Sequence, residues 1–210
     1  MQPVLKKILK ILFAVLAVVV GLYPVVYFLV ERKFGLLQSK TDELLASTTW
    51  NTGFYIHITL GGLALLTGWT QFSKKIRAKK INLHRLLGKI YVTAVLLSSA
   101  AGFYIAFYAT GGWISAAGFI CLALIWFSTT LRAYLYIKNK QVNRHQQMMI
   151  YSYAACFAAV TLRIWLPFLT MAFHDFNTGY RIVAFLCWVP NMIVAWFIVQ
   201  RLRRQALPVN

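Results

Sequence analysis

Six long apolar stretches divide the chain, at approximately Ile11–Val30, Thr52–Phe72, Leu86–Ala109, Trp113–Ile137, Met148–Phe173 and Tyr180–Val199. Each is near or above the ~20 residues with which a helix, rising about 1.5 Å per residue, crosses ~30 Å of hydrocarbon. A closed β-barrel also spans a bilayer, but its strands alternate apolar and polar positions. A run such as LFAVLAVVV (residues 12–20) has no alternation. The pattern predicts an all-α polytopic membrane bundle of six transmembrane helices, with the second to fifth forming a four-helix core.

Between the first two runs, residues 34–51 are polar with scattered leucines, as expected of an interfacial helix resting on the headgroups. The organisation read from this pattern is a first helix with its N-terminus (1–33), an outer interfacial segment (34–51), a five-helix membrane domain (52–200) and a short tail (201–210). The first run follows Lys6, Lys7 and Lys10 but exits through FLVERKFG, which has no small-residue cleavage site, so a retained helix is expected. Any function then falls to the membrane helices and their short loops.

Helical spacing sorts the polar and small residues into stripes. His57, Gly61, Ala64 and Gly68 share one face of the second run, and His84, Gly88, Tyr91, Val95 and Ser98 one face of the third. His145, Met149, Ser152, Cys156, Ala159 and Arg163 share one face of the fifth. Such faces belong against other helices and away from lipid.

Composition agrees with a membrane reading. The chain is 60% hydrophobic and 12% charged, with a mean hydropathy of +0.65. A soluble domain of this length would expose large apolar patches. The net charge of +18 would suit a nucleic-acid partner, but the basic residues stand in short clusters between apolar runs, so none is expected. Most of them lie in the N-terminus, KKIRAKKINLHR, IKNKQVNRH and RLRRQ. The intervening loops hold Arg32, Lys33, Lys40 and Arg181 with all four acids, Glu31, Asp42, Glu43 and Asp175. The positive-inside rule places the first set in the cytoplasm, so both termini are expected inside. The expected location is a bacterial plasma (inner) membrane, with the lipid bilayer as partner. Cys121, Cys156 and Cys187 lie in separate runs without a CxxC spacing and are read as packing residues.

The candidate chemistry is histidine chemistry. His84 and His145 open the third and fifth runs, which share a direction and occupy a diagonal of an antiparallel bundle. Facing helices of a bundle core hold metal and cofactor ligands in this way. Asn82 and Asn143 are candidate N-caps, and a helix N-terminus keeps an imidazole neutral and able to ligate. Gly61 and Gly88 each follow a histidine by four residues, leaving room beside the ring for a flat, wide guest; close helix approach is the plainer explanation of either glycine alone. Arg85, Lys89 and Arg144 make the same region an anion site, for headgroup or substrate phosphate or for haem propionates. Arg163, deep in the fifth run, costs at least ~2.5 kcal/mol on insertion scales and needs a partner. Its candidates are helix-end carbonyls near Pro167 or Pro190, Asn191 in the WVPN break, or a bound anion, with His57 at similar depth. His174 is read as solvated, and Arg132 as reaching the interface.

Five stretches, HITLGGLALLTGWTQF, LHRLLGKIYV, ATGGW, RHQQMMIYSYAACFAAVTLRIWLP and WVPN, together resemble a bacterial family of predicted membrane proteins, the domain of unknown function 2306, over about residues 50–195. The resemblance implies a multi-helix membrane protein with a histidine-bearing core and supplies no activity. HRLLG and HITLG are also loosely similar to ascorbate-linked di-haem b-type cytochromes. That family needs four ligands in two pairs, whereas here only His84 and His145 pair and His57 lacks an outer partner. A further loose similarity is to small membrane factors that mature respiratory oxidases.

These observations rank three functions. The first is a haem b electron-transfer protein with His84 and His145 as axial ligands, Arg85, Lys89 and Arg144 at the propionates, and Arg163 with His57 in an outer pocket for a quinone or other reductant. The second is a metal or cofactor handling factor for a respiratory membrane complex, with His84 and His145 as metal ligands. The third is a small-anion or lipid-binding or transport protein. Hydrolytic catalysis is not expected, since no acid lies within a run and neither HExxH nor GxSxG occurs.

Overall fold

Without water, every main-chain N–H and C=O in the hydrocarbon must be satisfied within the protein. The chain meets this demand with helices. In a computed structural model that describes residues 3–31 and 33–206, the elements are α1 (Pro3–Leu22), α2 (Val26–Leu29), α3 (Asp42–Ala46), α4 (Thr48–Gly68), α5 (Lys74–Lys79), α6 (Ile81–Ala106), α7 (Trp113–Lys138), α8 (Val142–Cys156), α9 (Ala158–Phe173), α10 (Phe176–Leu186) and α11 (Val189–Ala206). Short 3₁₀ segments lie at Tyr23–Val25, Gly35–Ser39 and Trp69–Phe72, and no strand occurs among the described residues. Arg32 and residues 207–210, assigned from sequence to the outer loop and the tail, fall outside the described residues.

Five stretches are long and apolar enough to cross a membrane: Lys7–Leu29, Ile81–Ala106, Trp113–Lys138, Val142–Phe173 and Phe176–Gln205. They correspond to five of the six expected runs. The remaining run is α4, whose 21 residues include Thr48, Thr49, Asn51, Thr52 and His57, which lower its hydropathy. The helices also start earlier than the apolar runs. Ser47 Oγ accepts the Trp50 N–H at 3.3 Å and starts α4 before Thr52. α6 and α8 begin at Ile81 and Val142, so Asn82 and Asn143 sit inside the helices and are not N-caps, contrary to expectation. The N-cap of α8 is Gln141, with no side-chain cap bond. An apolar run marks the hydrocarbon, while the backbone spiral continues into the polar collar.

The chain forms two compact units, residues 1–101 and 102–210. In the first, α1 packs on α4. Glycines make the contact: a Cβ on Gly62 would lie 2.5 Å from the Gly21 carbonyl oxygen and 3.0 Å from Pro24. Near the 34–51 segment, Tyr27 meets Phe54 edge-on at 5.4 Å between ring centroids, and Phe54 stacks on Trp50 at 5.3 Å. That segment holds a 3₁₀ turn and α3, and Lys33 pairs with Asp42 at 2.6 Å on an exposed surface. Burial lowers the Lys40 ammonium to about 8.

In the second unit α7 packs on α8 and α10, α9 on α10, and α11 on α8. Gly118 permits the α7–α10 approach, since a Cβ there would come within 2.8 Å of the Ala184 carbonyl oxygen. Gly111 and Gly112 both have positive φ (87° and 77°), so ATGGW forms the turn into α7, and Arg181 Nε donates to the Gly111 carbonyl at 2.7 Å. Asp175 caps α10 by accepting the Asn177 and Thr178 N–H groups, and the Thr178 hydroxyl, at 2.6 Å, adds most to holding its carboxyl below the ordinary range.

Gly62→Leu should separate α1 from α4, because its branched side chain would stand where the Gly21 carbonyl lies. The expected cost is about 3 kcal/mol or more, set by overpacking against backbone. A thermal melt of the detergent-solubilised protein would register it as a lowered Tm, while Gly112→Ala, with no neighbour within 4 Å of its Cβ, should lose less and only through its positive φ.

Candidate functional site

The polar stripes face inward. Ala64, Gly68, Tyr91, Val95 and Ser98 are buried, as are Met149, Ser152 and Cys156, while the three histidines at their heads are half-buried. Cys187 is buried too, whereas Cys121 is exposed on α7 and so departs from the expected packing role. Arg85, Lys89, Arg144 and His174 are exposed.

In the first unit a reciprocal clasp ties α4 to α6. His57 Nδ1 lies 2.9 Å from the Ser98 carbonyl oxygen, and the Ser98 hydroxyl donates to the His57 carbonyl at 2.8 Å. A carbonyl only accepts, so the Nδ1 atom carries the proton. An imidazole anchored through Nδ1–H carries the lone pair of its neutral form at Nε2, the tautomer used by metal-ligating imidazoles. His84 stands in the first turn of α6, one turn before Gly88. A Cβ on Gly88 would meet one neighbouring atom, Gln71 Oε1, at 3.4 Å. This glycine therefore leaves room, in contrast to Gly62, which brings two backbones together.

In the second unit His145 repeats the first arrangement. Its Nδ1 donates to the Ala133 carbonyl of α7 at 2.9 Å, which again leaves Nε2 with the lone pair. Two turns along the same face of α8, the buried Ser152 and Thr130 hydroxyls share a hydrogen bond of 2.6 Å; when Thr130 donates to Trp126 O at 2.7 Å it accepts from Ser152. Arg144 is held by Gln141 Oε1 at 3.2 Å and lies 5.7 Å from the centroid of the Tyr136 ring.

Two helix breaks sit close to this stripe. The fifth run bends at Phe157, between α8 and α9, and the sixth at Cys187–Trp188, before Pro190. Pro190 has no N–H, so carbonyls of the preceding turn need other donors. Asn191 serves one carbonyl of that turn and reaches the other break: its Nδ2 lies 2.9 Å from Cys187 O, 3.3 Å from Ala154 O and 3.2 Å from Thr161 Oγ1. The Thr161 hydroxyl also donates to Cys187 O. One amide thus joins both breaks. Arg163 donates from Nη1 to Ala159 O, one turn back in its own helix, at 2.9 Å. Ala159 is in the first turn of α9, so this carbonyl is not one of those expected near Pro167 or Pro190.

The structure therefore brings His57 to Ser98, His145 to Ala133, and Asn191 to both breaks. His84 and His145 belong to different units. Sequence reasoning missed Thr130, Thr161 and the carbonyls of Ala133 and Ala154. Thr161 lies two residues from the stripe positions Ala159 and Arg163, off their face, and could have been suspected only from the donors that WVPN requires; a carbonyl leaves no mark in sequence. Among the described residues, no three His, Cys, Asp or Glu side chains gather closely enough to hold a metal ion.

Long apolar helices, breaks relieved by side-chain donors and an inward polar stripe define a multi-pass helical membrane protein. A family model described as a predicted membrane protein, the domain of unknown function 2306, matches residues 54–199, and the chain belongs to that family. No curated protein and no solved structure matches the chain.

Asn191→Leu should remove the amide that serves Cys187 O and Ala154 O. With an unsatisfied buried carbonyl costing about 1–3 kcal/mol, the expected loss is of that order, since the Thr161 hydroxyl still reaches Cys187 O. Thermal unfolding followed by circular dichroism would measure it, and Asn191→Asp, which replaces the donor by an acceptor, should be worse.

Proposed function

We propose that this chain is a haem b-binding transmembrane electron-transfer protein of the bacterial plasma membrane, with His84 and His145 as axial ligands. The supporting observation is the His145 imidazole, whose Nδ1–H is fixed on the Ala133 carbonyl at 2.9 Å so that Nε2 is the atom left to bind iron. The half-buried His84 has Gly88 one turn on, where a Cβ would only touch Gln71 Oε1 at 3.4 Å, so no backbone crowds the ring on that side. Arg85, Lys89 and Arg144, all exposed, would neutralise the propionates. Bound haem would supply one-electron chemistry, its potential set by axial ligands and burial. A bis-histidine haem takes two protein ligands, so the reading does not require a three-residue metal cluster.

The detergent-purified protein from haem-supplemented cells should show reduced-minus-oxidised absorption bands of a bis-histidine haem. His145→Ala and His84→Ala should each remove most of the signal, and Cys121→Ala should leave it intact. A colourless wild-type preparation, or bands that survive both histidine changes, would sink the assignment.

In the same proposal α4 is a sixth crossing and both ends are cytoplasmic. Its 21 residues reach about 31 Å at 1.5 Å each, enough to span. The N-terminus, the segment from α5 into α6, the α7–α8 turn and the end of α11 together carry most of the basic residues. Thiol-labelling of single cysteines in a background without the three natural ones should find positions 43 and 176 open to an impermeant reagent in intact cells. Positions 78 and 205 should become reactive only after permeabilisation. Labelling of 43 and 78 from the same side would refute the sixth crossing.

A further inference from the structure

The second unit carries a feature unrelated to its histidines. Between α8 and α11 runs a groove of about 370 Å³ whose wall is almost wholly apolar, formed by Tyr151, Trp188, Met192, Ile193, Trp196 and Phe197 among others. The indole N–H of Trp188 is already donated to Ala184 O at 2.8 Å, so it offers no donor to the groove. Trp196 and Phe197 remain 48% and 61% exposed, and Ile193 51%. The groove follows α11 for about 12 Å between Val189 and Phe197, close to the depth of one bilayer leaflet.

What lies beyond its C-terminal end gives the groove a direction. Seven residues are about two helical turns, so Arg203 continues the line of Trp196, and Arg204 that of Phe197. On the other wall Arg144 continues the line of Tyr151 backwards by the same interval. Arg203 Nε reaches across to Gln147 Oε1 of α8 at 3.1 Å, closing the groove at this end. Arg144, Arg203 and Arg204 are all exposed, and no acidic side chain occurs on α8 or α11. An apolar channel one leaflet deep that ends in three cations is complementary to an amphiphile with one hydrocarbon chain in the channel and a negative headgroup at the rim.

We infer that the α8–α11 groove is a binding site for an anionic phospholipid, which lays an acyl chain along Met192, Ile193, Trp196 and Phe197 and sets its phosphate against Arg203 and Arg204. Guanidinium groups recognise phosphate by charge and by paired N–H donors. The apolar wall gives hydrocarbon a fixed surface but does not discriminate among headgroups. Selectivity therefore resides in the arginines, and chain length and occupancy in the wall.

Native mass spectrometry of the full-length protein in mild detergent tests this, with phosphatidylglycerol and phosphatidylcholine of identical chains titrated in parallel. The wild type should retain phosphatidylglycerol about tenfold better, in keeping with the attraction of juxtamembrane basic residues to anionic lipid. The double change Arg203→Gln and Arg204→Gln should bring phosphatidylglycerol down to the phosphatidylcholine level and leave phosphatidylcholine unmoved. Ile193→Trp, which fills the channel, should weaken both lipids equally; if that variant fails to fold, Phe197→Ala on the exposed wall serves the same purpose. Equal retention of the two lipids by the wild type would overturn the inference, as would a preference that survives loss of both arginines. Inorganic phosphate at millimolar concentration should not displace phosphatidylglycerol; displacement would make this a free-anion site and not a lipid site.

Discussion

A carbonyl oxygen inside a bilayer has no water to accept from, and this constraint organises the polar chemistry of the chain. The intramembrane side chains that can donate are turned mostly toward main-chain oxygens: His57 to Ser98, His145 to Ala133, Arg163 to Ala159, and Asn191 to Ala154 and Cys187. Ser98 and Thr161 do the same. The pattern has a physical cause. Acidic partners are costly at depth, and none of the four acids of the chain lies within a long apolar span. Backbone oxygens are then the acceptors at hand. Anchoring an imidazole through one nitrogen also orients the other, so a rule about satisfying backbone becomes a rule about which atoms remain for ligands.

The same constraint explains how the bends are tolerated. A helix that breaks at Phe157 or before Pro190 leaves carbonyls without their usual donors. Here the two breaks are served together by a single amide and a threonine hydroxyl. Close packing is handled separately, by glycines at Gly62 and Gly118, where a Cβ would strike a backbone atom. The second unit thus has two kinds of contact: small residues where helices press together, and polar side chains where a helix is interrupted.

Much of this was legible in the sequence. Hydropathy located the long spans, and the 3.6-residue period picked out the inward stripes headed by His57, His84 and His145. The paired glycines of ATGGW and the proline of WVPN marked a turn and a break. Other features were hidden for identifiable reasons. The bend at Phe157 has no proline or glycine beside it, while Pro167, the obvious breaker, sits inside an unbroken α9. Asn82 and Asn143 looked like caps because composition reports the edge of hydrocarbon, whereas helices extend past that edge. Ser47, the residue that does cap α4, was hidden in a stretch read as interfacial. The acceptors of the histidines could not be foreseen, since the oxygen of Ala133 belongs to its peptide unit and not to alanine.

That last point bears on how the site tolerates genetic drift. In an ordinary side-chain pair, a change at either position abolishes the bond. Here heredity controls only one half of each pair: histidine 145 must be retained, but any amino acid small enough to stand at position 133 presents the same oxygen in the same place. Descendants of this chain can therefore vary their acceptor positions within limits of size and keep the imidazole aimed as it is now.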